Sequence, residues 1–111
     1  MFYQLYTGTD GESHFEDVTM PPTEERETAP QPVSEITFRR SPPGTKSDWH
    51  NAPQRQYVIT LAGRAEFIVG DGSSRTVVPG DVLLCEDVDG QGHYHRVMGD
   101  ETRIVAFVPV T

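Results

Sequence analysis

The amino-acid sequence predicts an all-β protein folded as a closed barrel. Its apolar stretches are short, rich in Val, Ile, Phe and Tyr, and separated by clusters of Gly, Pro, Asp and Ser, which is typical of many brief strands. Closing the sheet into a barrel removes the unpaired edges that an open sheet leaves exposed. At 111 residues the chain suits one domain, which we assign to residues 1–111.

Eight segments have the length and composition of strands. They are residues 2–6, 33–40, 56–61, 64–69, 75–78, 82–86, 93–98 and 103–108. The turn signals between them are Ala62-Gly63, Gly70-Asp71-Gly72-Ser73 and Pro79-Gly80-Asp81. These turns favour consecutive antiparallel hairpins. Between residues 20 and 32, repeated prolines and charged side chains predict an irregular loop instead.

Charge and hydropathy restrict the partners of the chain. Nine Lys and Arg against 17 Asp and Glu give a formal charge of -8, so we expect neither nucleic-acid nor membrane partners. No apolar run approaches the roughly 20 residues of a membrane-spanning helix, and the N-terminus lacks signal-peptide features. The sequence therefore predicts a soluble cytoplasmic protein. The one cysteine, Cys85, lies in an apolar run and is expected to be a small buried hydrophobe.

A histidine stands in a regular frame of glycines between Gly44 and Gly63. His50 follows Gly44 after five residues, Ala52 and Gln56 follow His50, and Gly63 closes the segment. This spacing resembles the first motif of the cupin family, which reads Gly, five residues, His, one residue, His, three or four residues, Glu, six residues, Gly. The resemblance implies a small single-domain cupin, with a double-stranded β-helix or jelly-roll barrel.

A second cupin motif is matched in part further along the chain. It reads Gly, five residues, Pro, one residue, Gly, two residues, His, three residues, Asn. Gly80 begins the matching segment, Glu86 stands at the Pro position, and Gly90 and His93 keep the Gly to His spacing after a two-residue insertion. Val97 replaces the Asn. The two motifs and the hairpin between them cover roughly half of the chain and occur in the right order.

The resemblance also implies a metal site with two of its ligands replaced. Cupins hold Fe, Mn, Zn, Ni or Cu with three His and one carboxylate; His50 matches the first His and His93 the last. Ala52 and Gln56 stand where the second His and the Glu belong. The implied cofactor is a weakly held divalent Fe, Mn, Zn or Ni on His50, His93 and Gln56, and the alternative is no metal.

Strand geometry predicts which side chains face the interior. Successive residues of a strand point to opposite faces, so Gln56 is expected in the pocket while Tyr57, Ile59 and Leu61 point outward. This outer apolar face needs a cover, either from the N-terminal segment or from a second subunit. Together with the usual pairing of small cupins, it predicts a homodimer.

Three acidic residues and a histidine lie near His93 and are further candidates. His95 is expected on the same face as His93, with a solvent-exposed strand-end position as an equal alternative. Glu86, at the end of the preceding strand, is expected to offer a carboxylate to the pocket. Asp87 and Asp89 are expected to be solvated turn residues.

Three functions follow from this pocket, and the sequence does not separate enzyme from binder. The first is a metal-dependent enzyme acting on a small molecule. The second is a metal-free isomerase or dehydratase in which His50 or His93 moves a proton and Gln56 orients the substrate. The third is a metabolite-binding cupin without turnover. Phosphate loops, dinucleotide-binding glycine runs and nucleophile elbows are missing from the sequence.

Overall fold

The structure, a computed structural model, describes residues 1–110 and contains nine strands in that range. They are β1 (Phe2–Thr7), β2 (Ser13–Val18), β3 (Thr37–Ser41), β4 (Gln56–Ala62), β5 (Arg64–Ile68), β6 (Ser74–Val77), β7 (Val82–Cys85), β8 (Tyr94–Met98) and β9 (Arg103–Pro109). The predicted all-β fold is confirmed. Within residues 1–110 we find no helix with the length and apolar character needed to cross a bilayer.

The strands form two sheets that enclose one core. The larger sheet has the order β2-β1-β7-β4-β9-β3 and the smaller one the order β6-β5-β8. Apolar side chains from both sheets pack in one cluster, which includes Leu5, Val58 and Leu83 from the larger sheet and Ala65 and Phe67 from the smaller. β1 runs parallel to β7, and the other neighbours are antiparallel. This arrangement is a jelly-roll barrel.

The connections differ from the expected series of consecutive hairpins. β5 and β6 do form a hairpin through residues 69–73, but β4 leads to β5, and β6 to β7, by crossing from one sheet to the other. Gly63 makes the first of these corners with a positive φ of 69°. A Cβ there would lie 2.8 Å from the Cα of Arg103, so only glycine lets the two sheets approach at this point.

Two further differences concern the strands themselves. β2 was not predicted, because charged residues interrupt its apolar pattern; it pairs with β1 at the edge of the larger sheet. The segment predicted at 33–40 begins as a strand only at Thr37, which pairs with Phe107. Pro109 lies two residues further along β9 and has no N–H, so it cannot donate a hydrogen bond that would extend the ladder between β3 and β9. The remaining predicted strands agree with the structure to within one residue at each end.

Alternation along β4 is as predicted. Gln56 and Val58 are buried, whereas Leu61 is 50% exposed on the outer face. The N-terminal strand supplies part of the expected cover, since the ring of Phe2 packs edge-to-face on Tyr57 with 6.0 Å between the ring centres. The inner face of β4, with Gln56 and Val58, lines the barrel interior.

Candidate functional site

A cavity of about 460 Å³ lies inside the barrel between the two sheets. Its polar lining includes Arg39, His50, Gln56, His93, His95 and Arg103. Its apolar wall includes Val58, Phe67 and Phe107. The larger sheet supplies Gln56 and Arg103, and the smaller sheet supplies Phe67 and His95. The volume suits a small metabolite rather than a polymer.

His50 and His93 meet at the cavity although they are distant in the chain. Their backbones form an isolated antiparallel bridge, with N–H to carbonyl distances of 2.8 and 2.9 Å. Their ring centres are 4.6 Å apart. Gly92 permits this contact, because its φ is 79° and a Cβ there would overlap the carbonyl oxygen of His50. The glycine before His93 is therefore required for the pairing of the two histidines.

His93 is held by a buried carboxylate. Its Nδ1 lies 2.6 Å from Oδ2 of Asp87, and the same oxygen accepts the hydroxyl hydrogen of Ser13 at 2.7 Å. Asp87 is 0% exposed and His93 3% exposed. The expectation that Asp87 is a solvated turn residue is therefore wrong. An ionised carboxylate only accepts hydrogen bonds, so Nδ1 of His93 carries a hydrogen and Nε2 remains available to a molecule in the cavity.

The other two cavity histidines have different surroundings. Nδ1 of His50 donates to the carbonyl of Asp48 at 2.9 Å, and the ring itself is exposed at the cavity mouth. His95 stacks on Phe67 with 5.2 Å between ring centres. Burial, followed by the positive charge of Arg103, lowers the pKa of His95 to about 4. His95 is therefore a neutral imidazole near pH 7.

Glu86 lies outside the cavity, in contrast to its predicted pocket position. Its carboxylate accepts hydrogen bonds from Nε2 of Gln4 at 2.6 Å and from the guanidinium of Arg55. The reason is strand alternation: Cys85 points into the cavity, so the next side chain points out. Burial raises the pKa of the Cys85 thiol, which keeps it protonated and unreactive.

Arg103 is a cavity residue that the sequence analysis missed. It is 3% exposed, its Nη2 donates to Oγ1 of Thr60 at 3.2 Å, and its Nε has no hydrogen-bond partner in the described part of the chain. None of the ion pairs among residues 1–110 involves Arg103. Burial, with the charge of Arg39 adding to it, lowers the pKa of Arg103 to about 10, so the guanidinium stays charged at pH 7. The signal that could have placed Arg103 inside is its position two residues before the buried Val105, on the same face of β9.

The donor set does not fit a resident divalent metal. In the part of the chain that the structure describes, no three His, Cys, Asp or Glu side chains are grouped so that they could hold an ion. Gln56 reaches the cavity but brings a neutral amide in place of a carboxylate. The guanidinium groups of Arg39 and Arg103 line the same cavity, and their positive charge disfavours the binding of a metal cation there. The metal site implied by His50, His93 and Gln56 therefore lacks the ligands and the charge that it needs.

Comparison with known proteins identifies the family. A family model described as a cupin domain matches residues 37–109, which include both sequence motifs and most of the cavity. Among curated proteins, none matches this chain significantly.

Three solved structures share the fold. A cupin-like protein from Thermotoga maritima is 21% identical with a TM-score of 0.57, and the match covers 68% of this chain and 55% of that one. A conserved protein of unknown function from Streptococcus pyogenes is 20% identical with a TM-score of 0.52, covering 68% and 64%. A cupin 2 conserved barrel domain protein from Salinispora arenicola is 23% identical with a TM-score of 0.54, covering 76% and 71%. The chain thus spans between half and two thirds of the first two proteins, and these likenesses concern the fold alone.

Proposed function

This chain belongs to the cupin family, and we propose that it binds a small organic molecule in its barrel cavity and moves a proton on that molecule through His93, without a resident metal. The reaction class is isomerisation, in which a proton taken from one atom of the substrate is returned to another, or dehydration, in which a proton is taken from carbon and the neighbouring C–O bond breaks as the hydroxyl group receives a proton and leaves as water. The observation that carries this proposal is the buried chain of hydrogen bonds from Ser13 to Asp87 to His93.

The carboxylate of Asp87 prepares His93 for proton transfer in two ways. Its hydrogen bond to Nδ1 selects one tautomer and so aims the basic nitrogen, Nε2, at the substrate. Its negative charge, at a buried position next to the ring, stabilises the imidazolium that forms when His93 accepts a proton. A buried histidine without such a partner would resist protonation.

Two neighbouring side chains complete the proposed site. The ring of His50 lies 4.6 Å from that of His93 and offers a second group that exchanges protons at the cavity mouth. Gln56 is 7% exposed and lines the cavity, and its amide both donates and accepts hydrogen bonds. We assign Gln56 the role of orienting the substrate and His50 that of returning the proton.

The experiment begins with the compound that the protein carries. Untagged protein is denatured, the released small molecules are identified by mass spectrometry, and the compound found is incubated with fresh protein. We expect product from the wild type and a rate lower by about 10²- to 10⁴-fold in His93→Gln. His14→Gln is the matched control, because His14 is a half-buried histidine that pairs with Asp10 and does not line this cavity. Saturable binding without product would refute proton transfer and leave a metabolite-binding cupin.

A further inference from the structure

We infer that the molecule in this cavity carries a carboxylate and that Arg103 is the residue that binds it. This inference rests on the proposed function, since it names the chemical class of the substrate for the same cavity. The observation behind it is a charged side chain, 3% exposed, that has no counter-ion and keeps an unpaired donor among residues 1–110.

A buried cation without a partner is unfavourable in a folded protein. Buried arginines are normally paired with a carboxylate, because the loss of hydration otherwise goes uncompensated. Arg103 contacts the hydroxyl of Thr60 and lies 5.5 Å from the ring centre of Phe67, and neither group carries a negative charge. A ligand that supplies a negative charge to the cavity would compensate Arg103.

The free donors of Arg103 have the geometry that a carboxylate requires. Nη2 of Arg103 donates one hydrogen bond to the hydroxyl oxygen of Thr60, while Nε is buried and lacks a partner among residues 1–110. A guanidinium presents its N–H groups as a planar fork that matches the two oxygens of a carboxylate. Arg39 provides a second cation in the lining, where its guanidinium lies 4.5 Å from the ring centre of Phe107.

The other titratable groups of the lining do not cancel this positive charge. His95 and the thiol of Cys85 are uncharged near pH 7. Glu35 is the carboxylate in the lining, and it lies exposed on the segment before β3, where water screens it. The buried charge of Arg103 therefore stays uncompensated by the other lining residues, in a protein whose formal charge is -8.

The apolar wall indicates what the rest of the ligand is like. Phe67, Phe107 and Val58 face the same space as Arg103. Such a surface favours a hydrocarbon or aromatic body with one anionic end over a polyanion such as a sugar phosphate. The inferred ligand class is a small organic acid.

Two pairs of probes test this inference: benzoate against benzamide, and propionate against propionamide. Each pair has nearly the same shape and differs in charge. We expect the carboxylates to bind the wild type at least about tenfold more tightly than the amides by calorimetry, and this preference to disappear in Arg103→Met. Arg64→Met is the matched control, because Arg64 is exposed and outside this cavity.

A measurement on the wild type keeps the test valid if Arg103→Met fails to fold. The Nε–H resonance of Arg103 should shift on addition of benzoate and not on addition of benzamide. Equal binding of acid and amide, a preference that survives in Arg103→Met, or tighter binding of inorganic phosphate than of benzoate would each overturn the inference. Carboxylate preference is measured by binding and proton transfer by product formation, so the failure of one is distinguishable from the failure of the other.

Discussion

Nδ1 of His93 and Oδ2 of Asp87 are 2.6 Å apart, between side chains that are 3% and 0% exposed. The contact joins the loop after β7 to the start of β8, and Ser13 extends it to β2. One carboxylate thus fixes both the loop that carries it and the orientation of a cavity imidazole. The site and the fold depend on each other here.

Asp87→Asn tests the structural part of this relationship. The amide oxygen of Asn can accept the same two hydrogen bonds, but as a neutral acceptor it forms weaker ones than the carboxylate, and its NH₂ takes the buried place of Oδ1, which lacks a partner among residues 1–110. We therefore expect the free energy of unfolding to fall by about 1–3 kcal/mol. Urea denaturation measures the change. Asp89→Asn is the matched control, because the side chain of Asp89 is exposed in the same loop, and its effect should stay within about 0.5 kcal/mol. Equal stability of the two variants would contradict the role assigned to Asp87.

The sequence predicted part of this site for clear reasons. Motif spacing identified His50 and His93, and strand alternation placed Gln56 on the inner face of β4, where the structure has it. Both signals are local: one depends on spacing along the chain and the other on a period of two. The pairing of the two histidines also needs Gly92, the residue before His93, because the backbone there has a positive φ that favours glycine.

The parts that the sequence did not predict depend on distant contacts. Asp87 is buried because Ser13, 74 residues away, and His93 both donate to it. Since β2 was not predicted, Ser13 could not be recognised as its partner. Arg103 follows the alternation of β9, but a strand arginine is more often a surface residue, and composition alone favours that interpretation. Its burial becomes evident only when the two sheets close over it.

A pH-dependent stability is expected from His95. Its pKa is about 4 in the folded protein, whereas the ordinary pKa of a histidine is 6.5. Below about pH 6.5 the unfolded chain therefore binds a proton that the folded protein does not, and stability falls until the pH reaches about 4. The charged and titratable groups that face His95 are Arg103, His50, His93 and Arg39.

His95→Gln separates this effect from the titration of carboxylates. As the pH falls from about 7 to about 4.5, the urea midpoint of the wild type should fall more than that of the variant, because glutamine takes up no proton on unfolding. A difference that stays constant over this range would show that His95 titrates normally in the folded state.

Metal content is expected to be well below one ion per chain. The cavity lacks a carboxylate at the Gln56 position and contains two arginines, so a divalent ion has neither the ligands nor the charge balance to stay bound. Elemental analysis of untagged protein measures this. Stoichiometric metal that disappears in both His50→Ala and His93→Ala would contradict the expectation and favour the metal-dependent reading of the family motif.

The homodimer predicted from the sequence remains a prediction, and the structure suggests where to test it. Among the strands that the structure describes, β3 is at an edge and pairs with β9 alone, and Phe38 on it is 64% exposed. Pairing with a second copy would cover this edge. We expect the wild type to sediment as a dimer and Phe38→Lys as a monomer. Val78→Lys is the matched control, because Val78 is an exposed apolar residue after β6, away from both β3 and the outer face of β4. A wild-type monomer, or a dimeric Phe38→Lys, would refute this interface.

Exchange of hydrogen with solvent tests the central claim most directly. The compound recovered from the protein is incubated in D₂O with a metal chelator, and its deuterium content is followed by mass spectrometry. The account predicts that wild-type protein introduces deuterium into the compound despite the chelator and that His93→Gln does not. Exchange that stops with the chelator, or that proceeds equally in His93→Gln, would contradict proton transfer by His93.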